Sequence, residues 1–167
     1  MLKFLFASLT ARPARASDLF DAVTRIARLP HWYREGAVPD TLEGRFAMLA
    51  TVTALVMIRL EALGEDGNLL SVALTERFVE VMESEHRELG LGDPSLGKTV
   101  RKLVGALARR LDIWRSALAG ERDWAGAAAD SVAGGDGGQA HLAQSLRDLS
   151  GRIEASSLDQ LAAGDLA

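Results

Sequence analysis

Apolar residues recur three and four positions apart along most of this 167-residue chain, which is the spacing of an α-helix with one buried face. The pattern predicts helices over residues 18–29, 41–63, 68–89, 94–119, 121–132 and 139–153. Only 5 Phe, 3 Trp and 1 Tyr occur, and β-branched runs are few, whereas an all-β fold depends on such residues for cross-strand packing. We therefore predict an all-α fold, a single-domain helical bundle of about five to seven helices.

The helix predicted over residues 41–63 is apolar on nearly all sides. Its residues 46–58 carry no charge, but a helix needs about 20 apolar residues to span a bilayer. We therefore predict a buried central helix. Asp40 is expected to cap it, with Glu43 three residues later completing a capping box.

The predicted elements suggest three segments. They are a mobile or amphipathic N-terminus over residues 1–17, a helical core over 18–120, and C-terminal helices over 121–167 with a Gly-rich break at 134–138. The first segment has three basic residues, no acidic residue and an apolar cluster near its start, which resembles a transit peptide or a membrane-surface helix. The last residues, rich in Ala, Ser and Asp, are expected to fray.

Charge is distributed in blocks, although 19 basic and 23 acidic residues give a net charge of only -4. The net charge is +3 over residues 1–39, -6 over 40–92, +4 over 93–119 and -5 over 120–167. Such blocks can pair within the fold or with a partner. Lys98, Arg101, Lys102 and Arg109 share one face of a predicted helix, which is interpreted as a solvated or protein-docking face. Nucleic-acid binding is not expected, because the neighbouring helices are acidic and no aromatic residues are interleaved with this face.

Residues Gly92–Thr99 match the phosphate-loop pattern G-x-x-x-x-G-K-[ST]. That chemistry needs a strand before the loop, but here the preceding pattern is an acidic amphipathic helix. Pro94 also removes one of the amides that would face a phosphate. We interpret the segment as a corner between two helices, with Asp93 as the N-cap of the second.

Other chemical motifs are incomplete. The chain has no cysteine, which excludes disulfides, Cys-ligated metals and cysteine nucleophiles. Glu83 and His86 have the Glu-x-x-His spacing of di-iron bundles, but no second copy exists. Glu85 falls within the apolar stripe of its helix and, if buried, is expected to need a charged partner such as an Arg or Lys of the next helix. No catalytic residue, metal site or cofactor is predicted.

Several stretches, in order along the chain, resemble one known family. They are Trp32-Tyr33, residues 38–41, 44–46, 59–60 and 78–82, and above all residues 86–103 with their core R-E-x-G-x-G-D-x-x-x-G-K. The resemblance is to the ubiquinol-cytochrome c chaperone family, the assembly factors of respiratory complex III, and covers roughly residues 30–118. Pro94 and Thr99 depart from the family's usual residues, and the tail after Gly120 is not matched.

This resemblance implies a non-enzymatic chaperone that binds newly made cytochrome b and hands it on for haem insertion and assembly. Mitochondrial relatives act with a second subunit and near the ribosome, so both are candidate partners. The Ala-, Arg- and Gly-rich chain looks bacterial. We therefore expect it in the bacterial cytoplasm, peripheral to the inner membrane, with the mitochondrial matrix as the alternative.

The resemblance and the basic face together define the candidate family-motif and partner-binding residues. They are Trp32, Tyr33, Asp40, Arg45, Arg87, Glu88, Gly90, Gly92, Asp93, Gly97, Lys98, Arg101 and Lys102. Trp32 and Tyr33 are interpreted either as client contacts or as ordinary core residues. Two alternative functions are compatible with the sequence. One is a generic helical adaptor whose basic helix docks an acidic partner, and the other is a nucleotide-binding protein acting through Gly92–Thr99.

Overall fold

A computed structural model describes residues 16–88, 93–133, 135 and 137–166, with the backbone alone for residues 86, 87 and 93–96. These residues form helices and turns, with no strand among them, so the predicted all-α bundle is confirmed. The helices are α1 (16–27), α2 (Pro30–Arg34), α3 (Leu42–Glu61), α4 (Glu65–Glu88), α5 (Asp93–Leu118), α6 (Trp124–Ser131), α7 (Gln139–Ala155) and α8 (Leu158–Ala162).

Helix α3 is the centre of the bundle, as its uncharged sequence predicts. Every residue from Ala50 to Met57 is buried, and α4, α5, α6 and α7 all pack against it. A helix that is covered on all sides needs no polar face. Among the helices of the described residues, none combines the length and apolarity needed to cross a bilayer.

The start of α3 differs from the sequence prediction, and its end agrees with it. The Thr41 hydroxyl, not the Asp40 carboxylate, caps the helix by accepting a hydrogen bond from the Gly44 amide at 3.2 Å. The predicted capping by Asp40 is therefore wrong by one residue, because Asp40 instead accepts a hydrogen bond from Arg45 Nε at 2.6 Å. At the other end Gly64 adopts a left-handed φ of 84°, so the chain turns where the sequence predicts.

The bend that follows α4 joins two helices. Helix α4 extends to Glu88, α5 begins at Asp93, and the two pack against each other. The prediction of a helix on each side of this bend is confirmed. Helix α5 ends before Gly120, which also has a left-handed φ, of 76°.

The C-terminal residues contribute to the same core. Helices α6 and α7 pack on each other and on α3, and the rings of Trp114 and Trp124 lie 5.4 Å apart between α5 and α6. The predicted fraying of the tail is wrong over the described residues. Ser157 and Gln160 form a capping box that starts α8, and this helix buries Leu161 completely.

Candidate functional site

The four cations predicted to share a face of α5 do form one exposed surface. We call Lys98, Arg101, Lys102 and Arg109 the basic stripe; all four side chains are exposed. The stripe is about 16 Å long, because 11 residue steps of a helix rise about 1.5 Å each. None of the four forms an ion pair with the part of the chain that the structure describes. The stripe is therefore a candidate contact surface for an external anionic group.

The opposite face of α5 explains why the stripe points to solvent. Leu103, Leu107 and Trp114 on that face are at most 7% exposed and belong to the core. At 100° per residue these positions lie on the far side of the helix from Lys98 and Arg109. Burial of the apolar face thus fixes the orientation of the cations.

Two further arginines of the basic block are used within the fold. Arg115 pairs with Glu61 of α3 at 2.8 Å. Arg110 donates to the carbonyl of Ser131, at the end of α6, at 2.7 Å. Burial lowers the pKa of Arg110 from its ordinary value, and the nearby charge of Arg109 lowers it further. The charge blocks therefore pair partly within the fold, and the basic stripe is the portion left over.

Helix α4 carries a second surface, which sequence reasoning missed. We call the hollow lined by Val72, Thr75, Glu76, Val79, Glu80 and Glu83 the α4 groove; its volume is about 450 Å³. Val72 is 56% exposed, and Leu69, one turn before it, is 47% exposed. The sequence signal was present: valines seven residues apart interrupt an otherwise acidic helix face.

Three family-motif candidates meet at the start of α3. Tyr33, Asp40 and Arg45, together with Arg28 and Arg34, line a cleft of about 450 Å³. The Arg45 guanidinium lowers the pKa of the Asp40 carboxyl through their hydrogen bond. Burial raises the pKa of Tyr33.

The Tyr33 hydroxyl donates to the Ala27 carbonyl at 2.8 Å, which anchors the ring to the end of α1. Trp32 lies deeper and is 1% exposed, with its indole N–H donating to the Ile26 carbonyl at 2.7 Å. Of the two neighbouring aromatics, only Tyr33 therefore reaches the surface.

The remaining predicted residues lie at the α4–α5 bend. Glu88 is exposed at the end of α4, and Gly97 is exposed beside Lys98. Gly90 and Gly92 lie outside the described residues, and so do the side chains of Arg87 and Asp93. Glu85 is exposed, so the condition under which it would need a charged partner is not met.

The phosphate-loop pattern does not have the context it requires. Residues 93–99 are helical and the element before the bend is also a helix, whereas a phosphate loop lies between a strand and a helix. The interpretation of this pattern as a helix corner is therefore supported on both sides of the bend. Within the described ranges, no three His, Asp or Glu side chains come together as a metal site.

A histidine pair is a contact that the sequence did not indicate. His31 Nδ1 of α2 lies 3.1 Å from His141 Nε2 of α7, although 110 positions separate them. The Ser145 hydroxyl lies 3.3 Å from the same His141 nitrogen. Burial lowers the pKa of His31 below the ordinary 6.5, and the charge of the neighbouring His141 lowers it further.

The bundle and its exposed charged helix faces are typical of a protein that binds other proteins. The family model of the ubiquinol-cytochrome C chaperone matches residues 34–164. The match covers most of the chain, and the chain therefore belongs to this family. It is a non-enzymatic factor for the assembly of ubiquinol-cytochrome c reductase, respiratory complex III.

Similarity to a solved structure extends over the whole fold. The crystal structure of the Cbp3 homolog from Brucella abortus has a TM-score of 0.80 and 24% sequence identity, covering 99% of this chain and 94% of that one. At this identity the comparison shows a shared fold. No curated protein matches the chain. The expectation that the resemblance ends near residue 118 is wrong, because the family match continues to residue 164.

Proposed function

We propose that this chain binds newly made cytochrome b and promotes its assembly into complex III. The observation that carries the proposal is the family match over residues 34–164, which includes both α4 and α5. A membrane subunit exposes long apolar segments before it is inserted, and such surfaces aggregate in water. Cytochrome b is therefore the kind of subunit that needs a binding chaperone.

The basic stripe is the proposed surface for capturing an acidic segment of a partner. Its cations are exposed and form no ion pair with described residues, and complementary charge increases the rate at which a partner binds. A second assembly subunit and the ribosome are candidate partners besides cytochrome b. A chaperone of cytochrome b would act in the bacterial cytoplasm next to the inner membrane, or in a mitochondrial matrix.

Deletion of the gene tests whether cytochrome b is the client. We expect a deletion strain to lose cytochrome b and complex III activity, and a plasmid copy of the gene to restore both. Cross-linking in growing cells, followed by identification of the captured chains, should recover cytochrome b. Normal cytochrome b in the deletion strain would refute the proposal.

Charge reversal tests the surface. We expect Arg101→Glu combined with Lys102→Glu to weaken partner capture in a pull-down while the thermal unfolding temperature is unchanged, because both side chains are exposed. Arg25→Glu is the control, since Arg25 is also exposed but lies on α1. Equal capture by the double variant and the control would rule out the basic stripe as the binding surface.

A further inference from the structure

The α4 groove combines an apolar floor with an acidic rim. We call its apolar lining residues, Val72 and Val79, the floor and its glutamates the rim; Val72 has more than half of its surface exposed. Leu69 extends the apolar surface by one turn. From Leu69 to Glu83 the surface is about 21 Å long, at 1.5 Å per residue. Leu69 and Val72 are exposed one turn apart on this face, and neighbouring exposed apolar side chains are a feature of binding surfaces.

Acidic residues predominate along the helix that carries this floor. Helix α4 has seven acidic residues and two arginines. Of the rim carboxylates, Glu80 accepts a hydrogen bond from Arg77 at 2.9 Å, whereas Glu76 forms no ion pair within the described part of the chain. An occupant that is apolar along its middle and cationic at its edges therefore complements these residues.

We propose that the α4 groove binds an apolar helical segment flanked by Lys or Arg, namely the end of a client membrane helix before insertion. This inference rests on the proposed function, because it names where the client binds. Membrane helices carry Lys and Arg next to their cytoplasmic ends, and an apolar helix face laid into a groove is a common mode of peptide recognition. An anionic lipid surface is a poor occupant, since the rim carboxylates would repel its headgroups.

Peptide binding provides the direct test. The probe is a fluorescein-labelled helical peptide of about 15 Leu and Ala residues with two lysines at each end, a length that matches the groove. The counter-probe has the same core flanked by glutamates. We expect fluorescence anisotropy to show binding of the Lys-flanked peptide that is about tenfold tighter than that of the Glu-flanked one. Equal affinity for the two peptides would overturn the charge complementarity.

Substitution of the floor locates the binding site. Val72→Glu places a charge where the apolar segment would lie, so we expect about tenfold weaker binding of the Lys-flanked peptide. Leu42→Glu is the matched control, because Leu42 is also 56% exposed but lies at the start of α3. Both variants should keep the unfolding temperature of the wild type. Unchanged binding by Val72→Glu, or equal loss in both variants, would refute the assignment.

Complementation of the deletion strain separates this inference from the proposed function. If the wild-type gene restores cytochrome b and Val72→Glu does not, both are supported. If Val72→Glu restores cytochrome b as well as the wild type and binds the peptide normally, the groove assignment fails and the function stands. If peptide binding depends on Val72 but deletion leaves cytochrome b unchanged, the groove assignment stands and the function fails.

Discussion

Gly138 supplies a sharp test of how the Gly-rich break is built. It is buried immediately before α7, and the Gly135 amide nearby donates to the Ala37 carbonyl at 2.8 Å. A Cβ on Gly138 would lie 2.6 Å from the Ala37 Cβ and closer still to the Gly36 carbonyl. The Gly138 φ of -97° is accessible to alanine, so the main obstacle to Gly138→Ala is steric contact; Gly138 is also the N-cap residue of α7, where alanine is less favourable than glycine.

The magnitude follows from the cost of overpacking. Inserting a methyl group into a closely packed site typically costs about 1–3 kcal/mol, so we expect Gly138→Ala to lower the free energy of unfolding by about that amount. Gly151→Ala is the matched control, because no atom other than those of its chain neighbours and its own helix backbone lies within 4 Å of its added Cβ, and the site is an exposed interior position of α7. There the same substitution should stabilise the chain by about 0.5–1 kcal/mol.

Urea denaturation followed by circular dichroism measures both variants. Any change in the entropy of the unfolded chain is common to the two, so the difference between them reports the native environments, namely the contact of residue 138 with Gly36 and Ala37 and the different helix positions of the two residues. We expect the two free energies of unfolding to differ by about 1.5–4 kcal/mol. Equal stabilisation of the protein by both substitutions would contradict the packing of Gly138 against Gly36 and Ala37.

Three further predictions concern other parts of the fold. Leu161→Ala should lower the free energy of unfolding by about 2–5 kcal/mol in urea titrations, because the side chain is fully buried; a loss below about 1 kcal/mol would mean that α8 is not part of the core. Thr41→Ala should lower the free energy of unfolding by about 1 kcal/mol in the same titrations, whereas Asp40→Ala should leave it nearly unchanged. A larger loss in Asp40→Ala than in Thr41→Ala would show that Asp40 is the cap. Since the pKa of His31 is lowered in the folded state, its contribution to stability is complete above about pH 6.5 and falls as the pH drops below that value. Thermal unfolding temperatures measured between about pH 7.5 and pH 5.5 should therefore decline, and less steeply in His31→Gln, which lacks the titrating ring beside His141; parallel curves for the two proteins would contradict this role.

The local spacing of apolar residues was enough to predict the principal helices and the side of each helix that faces the core. The 3.6-residue period of α5 places apolar and basic residues on opposite sides of one helix, so burial of Trp114 leaves Lys98 and Arg109 in solvent. The uncharged stretch in α3 likewise has no side suited to water, which makes its central position a consequence of composition. The helix on each side of the α4–α5 bend follows from the same period, and it set aside the phosphate-loop interpretation of Gly92–Thr99.

Features that depend on partners distant in sequence could not be read in this way. His31 and His141, 110 positions apart, meet only in the folded bundle, and Gly138 is buried only because the turn at Gly36 and Ala37 reaches it. The exposure of Val72 is also a tertiary property, because any valine in α4 could have been covered by a neighbouring helix. Periodicity determines which side of a helix is apolar; the arrangement of the whole bundle decides which apolar residues remain uncovered, and the proposed client groove depends on that arrangement.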